Sequence, residues 1–384
     1  MDVYGRYGVT PVINAAGDYT KFGGTLMESE VVSAMVEASR HFVKISELQS
    51  AASELIADFT GSEAGHVTSG AASAIALSSA VCIGRQSQSL LMNLPKLEEG
   101  CPSTILLQES HLNPYARMFE LSGGSLKFIP GEELESELSA GTVAAVGYVH
   151  ERSEFGLDIV EVVRLAHRYD VSVIVDAANS LPPISNLRGY VDAGADLVAV
   201  SGGKALHGPQ ATGFVCGSSE LVRLVSRLQL DYGSPVGQAG LPRHGLGRPM
   251  KVAKEEIIGL LTAIERFRAR DHDEDYLRWS RLMQELASEL DSIDGVVVEY
   301  RAKLPNGRPV PCVVLKMDDP NGRFGAKDLL TALEEGERRV ALNDSLLDVN
   351  ALIVNPANLS DEEVQVVYNR IKEELCRAKA SGLL

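Results

Sequence analysis

The 384-residue sequence predicts an α/β protein, with a large domain built on a mostly parallel sheet and a smaller αβ-type segment that covers it. Three observations carry this. Short apolar runs alternate with helix-length stretches through most of the first 270 residues. Those runs are continuous in Val, Ile and Ala, the pattern of strands buried on both faces by helices. The length exceeds one compact unit, and 45% hydrophobic with 23% charged residues is ordinary globular composition.

Taken in order, Tyr7–Gly24 is irregular and rich in small residues, a lead-in to a helix beginning near Glu28. Ser46-Glu-Leu-Gln49 has capping-box spacing and opens a helix with apolar positions Leu48, Ala51, Ala52, Leu55, Ile56 and Phe59. Strand Ala64–Thr68 then meets Ser69-Gly70-Ala71-Ala72-Ser73 and an apolar helix. Small residues there let backbone N–H groups approach an anion, which the helix dipole favours. After a loop at Gln86–Pro102, strand Thr104–Gln108 leads into Glu109-Ser110-His111 and a helix over Pro114–Ser122. A histidine at a strand's C-terminal edge can stack on a ring or act as acid or base. The alternation continues through Leu126–Ile129, Glu132–Leu138, Val143–Val149 and Val160–Tyr169. His150-Glu151 ends one of these strands with no third ligand at a metal-like spacing, so it reads as structural or as a support behind the site's contact residues, and no metal is expected.

The stretch from Val173 to Gly213 carries the chemistry. Strand Val173–Asp176 ends in an aspartate, and strand Asp196–Val200 runs into Ser201-Gly202-Gly203-Lys204. A lysine just after an apolar strand, behind two glycines, is placed to have its amine desolvated and aimed into a cleft. A Schiff-base lysine with an acidic partner for a pyridinium nitrogen is what a pyridoxal 5'-phosphate site requires, and Lys204 and Asp176 supply both on neighbouring strands. Beyond them come strand Phe214–Cys216, helix Glu220–Leu230 and the glycine-loosened basic run Arg243–Lys251, where Arg248 and Lys251 suit a substrate carboxylate or phosphate. Helix Glu255–Arg268 hands over to helix Tyr276–Leu290, strands Val296–Tyr300 and Val310–Lys316, helix Ala326–Glu335, strands near Val340 and at Ala351–Val354, and helix Asp361–Ala378.

With Ser201-Gly-Gly-Lys204 followed by Gly208-Pro209-Gln210 and Gly213, the chain resembles fold-type-I pyridoxal phosphate enzymes of the group uniting selenocysteine synthase with D-glucosaminate-6-phosphate ammonia-lyase. The resemblance spans about Tyr4 to Leu375. It implies a PLP-dependent transferase-like fold: a large domain with a mainly parallel seven-stranded sheet, here 46–250, and a small domain from both termini, 1–45 and 270–384, joined by a helix at 251–269. It implies Lys204 and His111 as catalytic groups. Ser69, Gly70, Ala71 and Ala72 would form the phosphate loop, with Asp176, Asn179, Ser201, Gln210, His111 and Lys204 as further cofactor contacts. Asn14, in Ile13-Asn14-Ala15-Ala16-Gly17, joins Arg248 and Lys251 as a substrate contact. Such enzymes are at least homodimers, with each active site at the subunit interface. Two departures stand out. The N-terminal segment with which selenocysteine synthase handles tRNA has no counterpart before the core, and Ile353-Val354-Asn355-Pro356 holds no arginine where many relatives grip the substrate carboxylate.

Composition narrows the choice. A net charge of −16 offers no basic field for a phosphate backbone, so no nucleic-acid partner is expected. Cys82, Cys101, Cys216, Cys312 and Cys376 show no C-x-x-C spacing and read as reduced thiols of a cytoplasmic protein. No apolar run approaches the ~18 residues of a membrane span, and no signal-peptide core is present. The leading expectation is a lyase that performs α,β-elimination on a small polar or phosphorylated amino acid or amino-sugar acid. A selenocysteine synthase-like transferase, and racemase or aldolase chemistry, are the alternatives on the same cofactor. A non-enzymatic relative would be favoured by loss of Lys204 or Asp176, and both are present.

Overall fold

The computed structural model describes residues 3–229, 244–318 and 322–384. In chain order its elements are β1 (Val12–Ala15), α1 (Ser29–Ala38), α2 (Ile45–Thr60), β2 (Ala64–Thr68), α3 (Ala71–Gly84), α4 (Gln88–Asn93), β3 (Thr104–Gln108) and β4 (Ser125–Ile129). There follow α5 (Leu134–Ser139), β5 (Val143–Val149), α6 (Ile159–Arg168), β6 (Ser172–Asp176), α7 (Ser185–Asp192), β7 (Leu197–Ser201), β8 (Gly213–Gly217), α8 (Ser219–Gln229) and α9 (Lys254–Ala269). The last are α10 (His272–Leu290), β9 (Val296–Arg301), β10 (Cys312–Met317), α11 (Ala326–Glu334), β11 (Arg339–Leu342), β12 (Ala351–Val354) and α12 (Asp361–Ala380). Leu230 and Arg243, singled out in the sequence, lie outside the described residues. The chain forms two compact units, Met27–Ala269 and the pairing of Met1–Leu26 with Arg270–Leu384.

The larger unit holds a seven-stranded sheet in the order β2-β8-β7-β6-β5-β3-β4. The run from β4 to β7 is parallel, whereas β8 is antiparallel to both β7 and β2. Every residue of β5 and β6 is buried, as their Val, Ile and Ala content requires, because one apolar layer lies on each face of the sheet. Each fully buried Val, Ile or Leu stabilises such a core by roughly 1.5–3 kcal/mol. Helix α3 is apolar all round and almost wholly buried, while α6 buries only its Val162, Val163, Leu165 and Ala166 face. The parallel connections bring the C-terminal ends of β5, β6 and β7 together, and that edge carries the site.

Several local expectations change. The 27–45 and 251–269 stretches belong to the larger unit, where Arg266 Nε donates to Glu28 Oε2 at 2.6 Å and Lys254 Nζ to the Ala38 carbonyl at 2.9 Å. Ser46 does not cap α2. The helix starts two residues earlier, at Ile45, with Lys44 at the N-cap and Lys44 Nζ paired to Glu47 Oε1 at 2.9 Å. Pro114–Ser122 contains only a 3-10 run, Ala116–Glu120, and the expected loop at Gln86–Pro102 contains α4, capped by the Ser87 hydroxyl.

His66 on β2 is buried, and burial pushes its imidazole down to about 4. Its Nε2 lies 2.5 Å from Gln229 Oε1, and Gln229 Nε2 donates to the Met250 carbonyl at 2.8 Å, so Nε2 of His66 carries the proton. A histidine depressed on folding stabilises the protein above its unfolded pKa near 6.5 and loses that contribution as pH falls to about 4, an effect of about 3 kcal/mol. The denaturant midpoint of wild type should therefore fall across this window more steeply than that of His66→Gln. Parallel slopes for the two proteins would contradict the assignment.

In the smaller unit β12, β10 and β9 form an antiparallel sheet, and β1 pairs in parallel with β11 in the register Val12↔Arg339 to Ala15↔Leu342. Its core draws on α10, α11 and α12, including Met283, Leu329, Val367 and Ile371. A capping box of Ser360 and Glu363 starts α12. The Arg308 and Asp18 side chains are paired at 2.8 Å and nearly buried. All five cysteines are free, and burial pushes the Cys82 and Cys216 thiols up to about 12, so neither is a nucleophile at neutral pH. Among the described residues no helix is long and apolar enough to cross a membrane, and no cluster suits a metal ion.

Candidate active site

The turn that presents Lys204 is set by close packing. A Cβ at Gly202 would meet Thr212 Oγ1 and Leu260 Cδ1, and one at Gly203 would lie 2.6 Å from Gln210 Oε1 and 2.7 Å from Gln210 Cα. The glycines are thus needed for space, since the turn folds back on Gly208–Thr212: Gly202 N–H donates to the Thr212 carbonyl at 2.8 Å and Gly208 N–H to that of Gly202 at 2.9 Å. Lys204 emerges into an opening lined also by Ala177, Ala178, Asn179, Leu181, Val200, Ser201 and Ala205.

Asp176 ends β6, next to β7, and only 9% of it is exposed. Burial raises its pKa, while the Ala178 N–H at 3.1 Å and the Lys204 charge hold it down and the Glu151 carboxylate raises it further. Asn179 sits three residues on. Its Nδ2 donates to Glu151 Oε1 at 2.5 Å, and its Oδ1 is buried with no hydrogen-bond partner.

The first turn of α3 follows Ser69 and Gly70 at the C-terminal end of β2. Gly70 takes φ 87° and no side chain caps the helix, so its leading N–H groups are left to a ligand. Ser69 Oγ and Ser73 Oγ lie 2.8 Å apart. Gly213 of β8 supports this turn: a Cβ there would lie 2.7 Å from Gly70 C and 2.8 Å from Ala71 N.

His111 departs from expectation. Its Nδ1 accepts from the Val149 N–H at 3.1 Å, so Nε2 bears the proton and donates to the Phe155 carbonyl at 3.1 Å. Burial lowers its pKa and keeps the ring neutral. With 0% exposure and its ring edge-on to Tyr148 at 4.6 Å, His111 has neither a nitrogen for proton transfer nor an open face to cover a cofactor. The exposed residues of this strand end are Glu109 and Ser110. Arg248 and Lys251 are exposed on the segment anchored by Gln229, and they are not among the residues lining the Lys204 opening. Asn14 belongs to the smaller unit, where its amide closes its own turn: Oδ1 accepts from the Ala16 N–H at 3.0 Å and Nδ2 donates to the Gly17 carbonyl at 2.8 Å. Glu151, not among the candidate site residues of the sequence, bonds Asn179 and acts on Asp176. Its position at the end of β5, beside β6, was the available signal.

Pyridoxal phosphate brings a phosphate, a basic ring nitrogen and an aldehyde. The uncapped start of α3, the buried Asp176 carboxylate and the Lys204 amine are their chemical counterparts, and the unpartnered Asn179 Oδ1 is a further polar atom left for a ligand. The residues fit the group. Fold and site together define a fold-type-I pyridoxal phosphate enzyme. The chain belongs to the aminotransferase class-V family, whose model matches residues 109–337. It is 31% identical to 5'-C-glycyluridine monooxygenase-decarboxylase of Streptomyces sp over 97% of this chain and 92% of that protein. It is 25% identical to D-glucosaminate-6-phosphate ammonia lyase of Salmonella typhimurium (strain 14028s / SGSC 2262) over 97% of each chain. A solved structure of D-glucosaminate-6-phosphate ammonia-lyase superposes with a TM-score of 0.81, at 25% identity, over 99% of both chains.

Proposed function

We propose that the protein is a pyridoxal phosphate-dependent ammonia-lyase acting on a β-hydroxy amino acid or amino-sugar acid. The observation that carries this reading is the full-length likeness to an ammonia-lyase in both sequence and structure, with Lys204 and Asp176 in place. When bound, the cofactor supplies an electron sink for the pair left at the α-carbon. Lys204 Nζ is then the base nearest the α-carbon and takes the α-proton. The same ammonium returns that proton to the departing β-hydroxyl, which leaves as water. The task falls to Lys204 alone because both nitrogens of His111 are engaged by main chain. The enamine released tautomerises and is hydrolysed, so one water is lost and one regained, and the net products are ammonia and a 2-oxo acid. Arg248 or Lys251 would hold an anionic far end of the substrate, binding it away from the reacting carbon. We further propose that the active protein is a homo-oligomer.

The 31% identity to a monooxygenase-decarboxylase supports a second reading, in which the same lysine and aspartate serve a reaction that consumes O2 and releases CO2. Product analysis separates the two. The lyase yields ammonia and 2-oxo acid in equal amounts, without O2 uptake and without an amino acceptor. Oxygen consumption with CO2 release would favour the second reading. An inverted amino acid, glycine plus an aldehyde, or transfer to a keto acid would rule out the lyase.

A further inference from the structure

Helix α8 buries Leu221, Val222, Leu224, Val225 and Leu228, and then a polar residue, Gln229, which is buried as completely. Both edges of that amide are used. Its Oε1 lies 2.5 Å from His66 Nε2, and its Nε2 donates to the Met250 carbonyl at 2.8 Å. A methionine would fill the same space, so what the amide adds is direction: a satisfied buried polar network specifies one geometry where apolar packing accepts several. The geometry specified here is the path of residues 245–251. Gly247 N–H donates to the Leu228 carbonyl at 3.1 Å, and Met250 N–H to the Gly247 carbonyl at 2.9 Å. A Cβ at Gly247 would lie 2.7 Å from Gln229 Cα and 2.8 Å from Leu77 Cδ2. His66 stands on β2 just before Ser69 and Gly70, and Leu77 lies on α3, about 9 Å along the helix axis from Ala71. The network thus ties the exposed Arg248 and Lys251 to both elements that flank the turn at 69–70.

We propose that Gln229 is a positioning residue: held by His66, it fixes residues 245–251 so that Arg248 and Lys251 meet the anionic end of a substrate at a set place relative to the first turn of α3. The inference rests on the anion contact proposed above for Arg248 and Lys251, and is independent of the lyase outcome. Gln229 and His66 are buried and act only through the segment they hold. Without the amide both cations remain in the chain, but the segment that carries them loses this tether. The effect therefore falls on a probe that presents an anion, and a probe without one is spared.

The test titrates holoprotein with O-phosphoserine and with serine, following cofactor absorption, in wild type, Gln229→Met, His66→Leu, His66→Gln and the double variant Arg248→Gln/Lys251→Gln. Wild type should bind O-phosphoserine in preference to serine. Gln229→Met should lower that preference by about tenfold, the worth of one charge-assisted hydrogen bond, and amide exchange across 247–251 should quicken. His66→Leu should follow it, whereas His66→Gln, whose amide nitrogen can still donate to Gln229 Oε1, should keep most of the preference. A general loss of stability weakens both probes alike and leaves their ratio unmoved. The two His66 variants decide the question if Gln229→Met does not fold. An unchanged ratio in Gln229→Met while the double variant loses its preference would overturn the proposal, and so would equal losses in His66→Leu and His66→Gln. A wild type that binds the two probes alike, or a preference that survives in the double variant, would remove the anion contact and this inference with it. A protein that shows the Gln229-dependent ratio yet releases no ammonia keeps this inference and loses only the lyase reading.

Discussion

Lys204→Ala is expected to remove the borohydride-reducible link between protein and cofactor and to lower turnover by on the order of 10⁴-fold or more, since one residue is both the covalent anchor and the base. In wild type, reduction followed by proteolysis should place the pyridoxyl group on the peptide containing Lys204. The Ala variant should fold normally: Lys204 follows a turn whose geometry is fixed by Gly202, Gly203 and Thr212, so losing its side chain leaves the packing of that turn intact. An unchanged reducible chromophore in the variant would show that another amine carries the cofactor.

Asp176→Ala should retain that link and still lose on the order of 10²–10³ in turnover, the scale of removing a preorganised charged partner from a water-poor site. The carboxylate is buried beside Lys204, and burial raises its pKa while the lysine charge opposes that rise. A protonated ring nitrogen would add a second positive partner and favour the ionised carboxylate further. In the variant, the ring loses its stabilising counter-charge and with it much of its capacity to accept electrons. Turnover within a few-fold of wild type would remove Asp176 from this role.

The two residues that bear these predictions were legible because their signals are local. An apolar strand ending in Asp, another ending in Ser-Gly-Gly-Lys, and small residues opening α3 each sit within a few positions. The sheet was legible for the same reason, as β5 and β6 are continuous in residues that only a two-sided core accepts. What escaped depends on partners distant in sequence. The ring of His111 is fixed by Val149 and Phe155, which no spacing rule links to it. Glu151 gains its place from Asn179 across neighbouring strand ends. Gly202 and Gly203 stand out in the sequence, but their reason, the return of Gly208–Thr212 onto the turn, is visible only in the fold. The Ser46 spacing was a false local signal, because Lys44 occupies the cap and Ser46 lies within α2.

The pairing of β1 with β11 sets an order of events for a chain made from one end to the other. Residues Val12–Ala15 are made long before the strand they join, Arg339–Leu342. Until β11 is made β1 has an unsatisfied edge, while the segment from Met27 to Ala269 already contains the complete seven-stranded sheet and both of its apolar layers. Such long-range closure is slow, and it leaves a strand edge exposed to neighbouring nascent chains. A truncation ending before Arg339 would therefore keep the sheet that carries Lys204 and Asp176 while leaving Ile13 and its neighbours without their partner strand, making aggregation rather than loss of the central sheet its first failure.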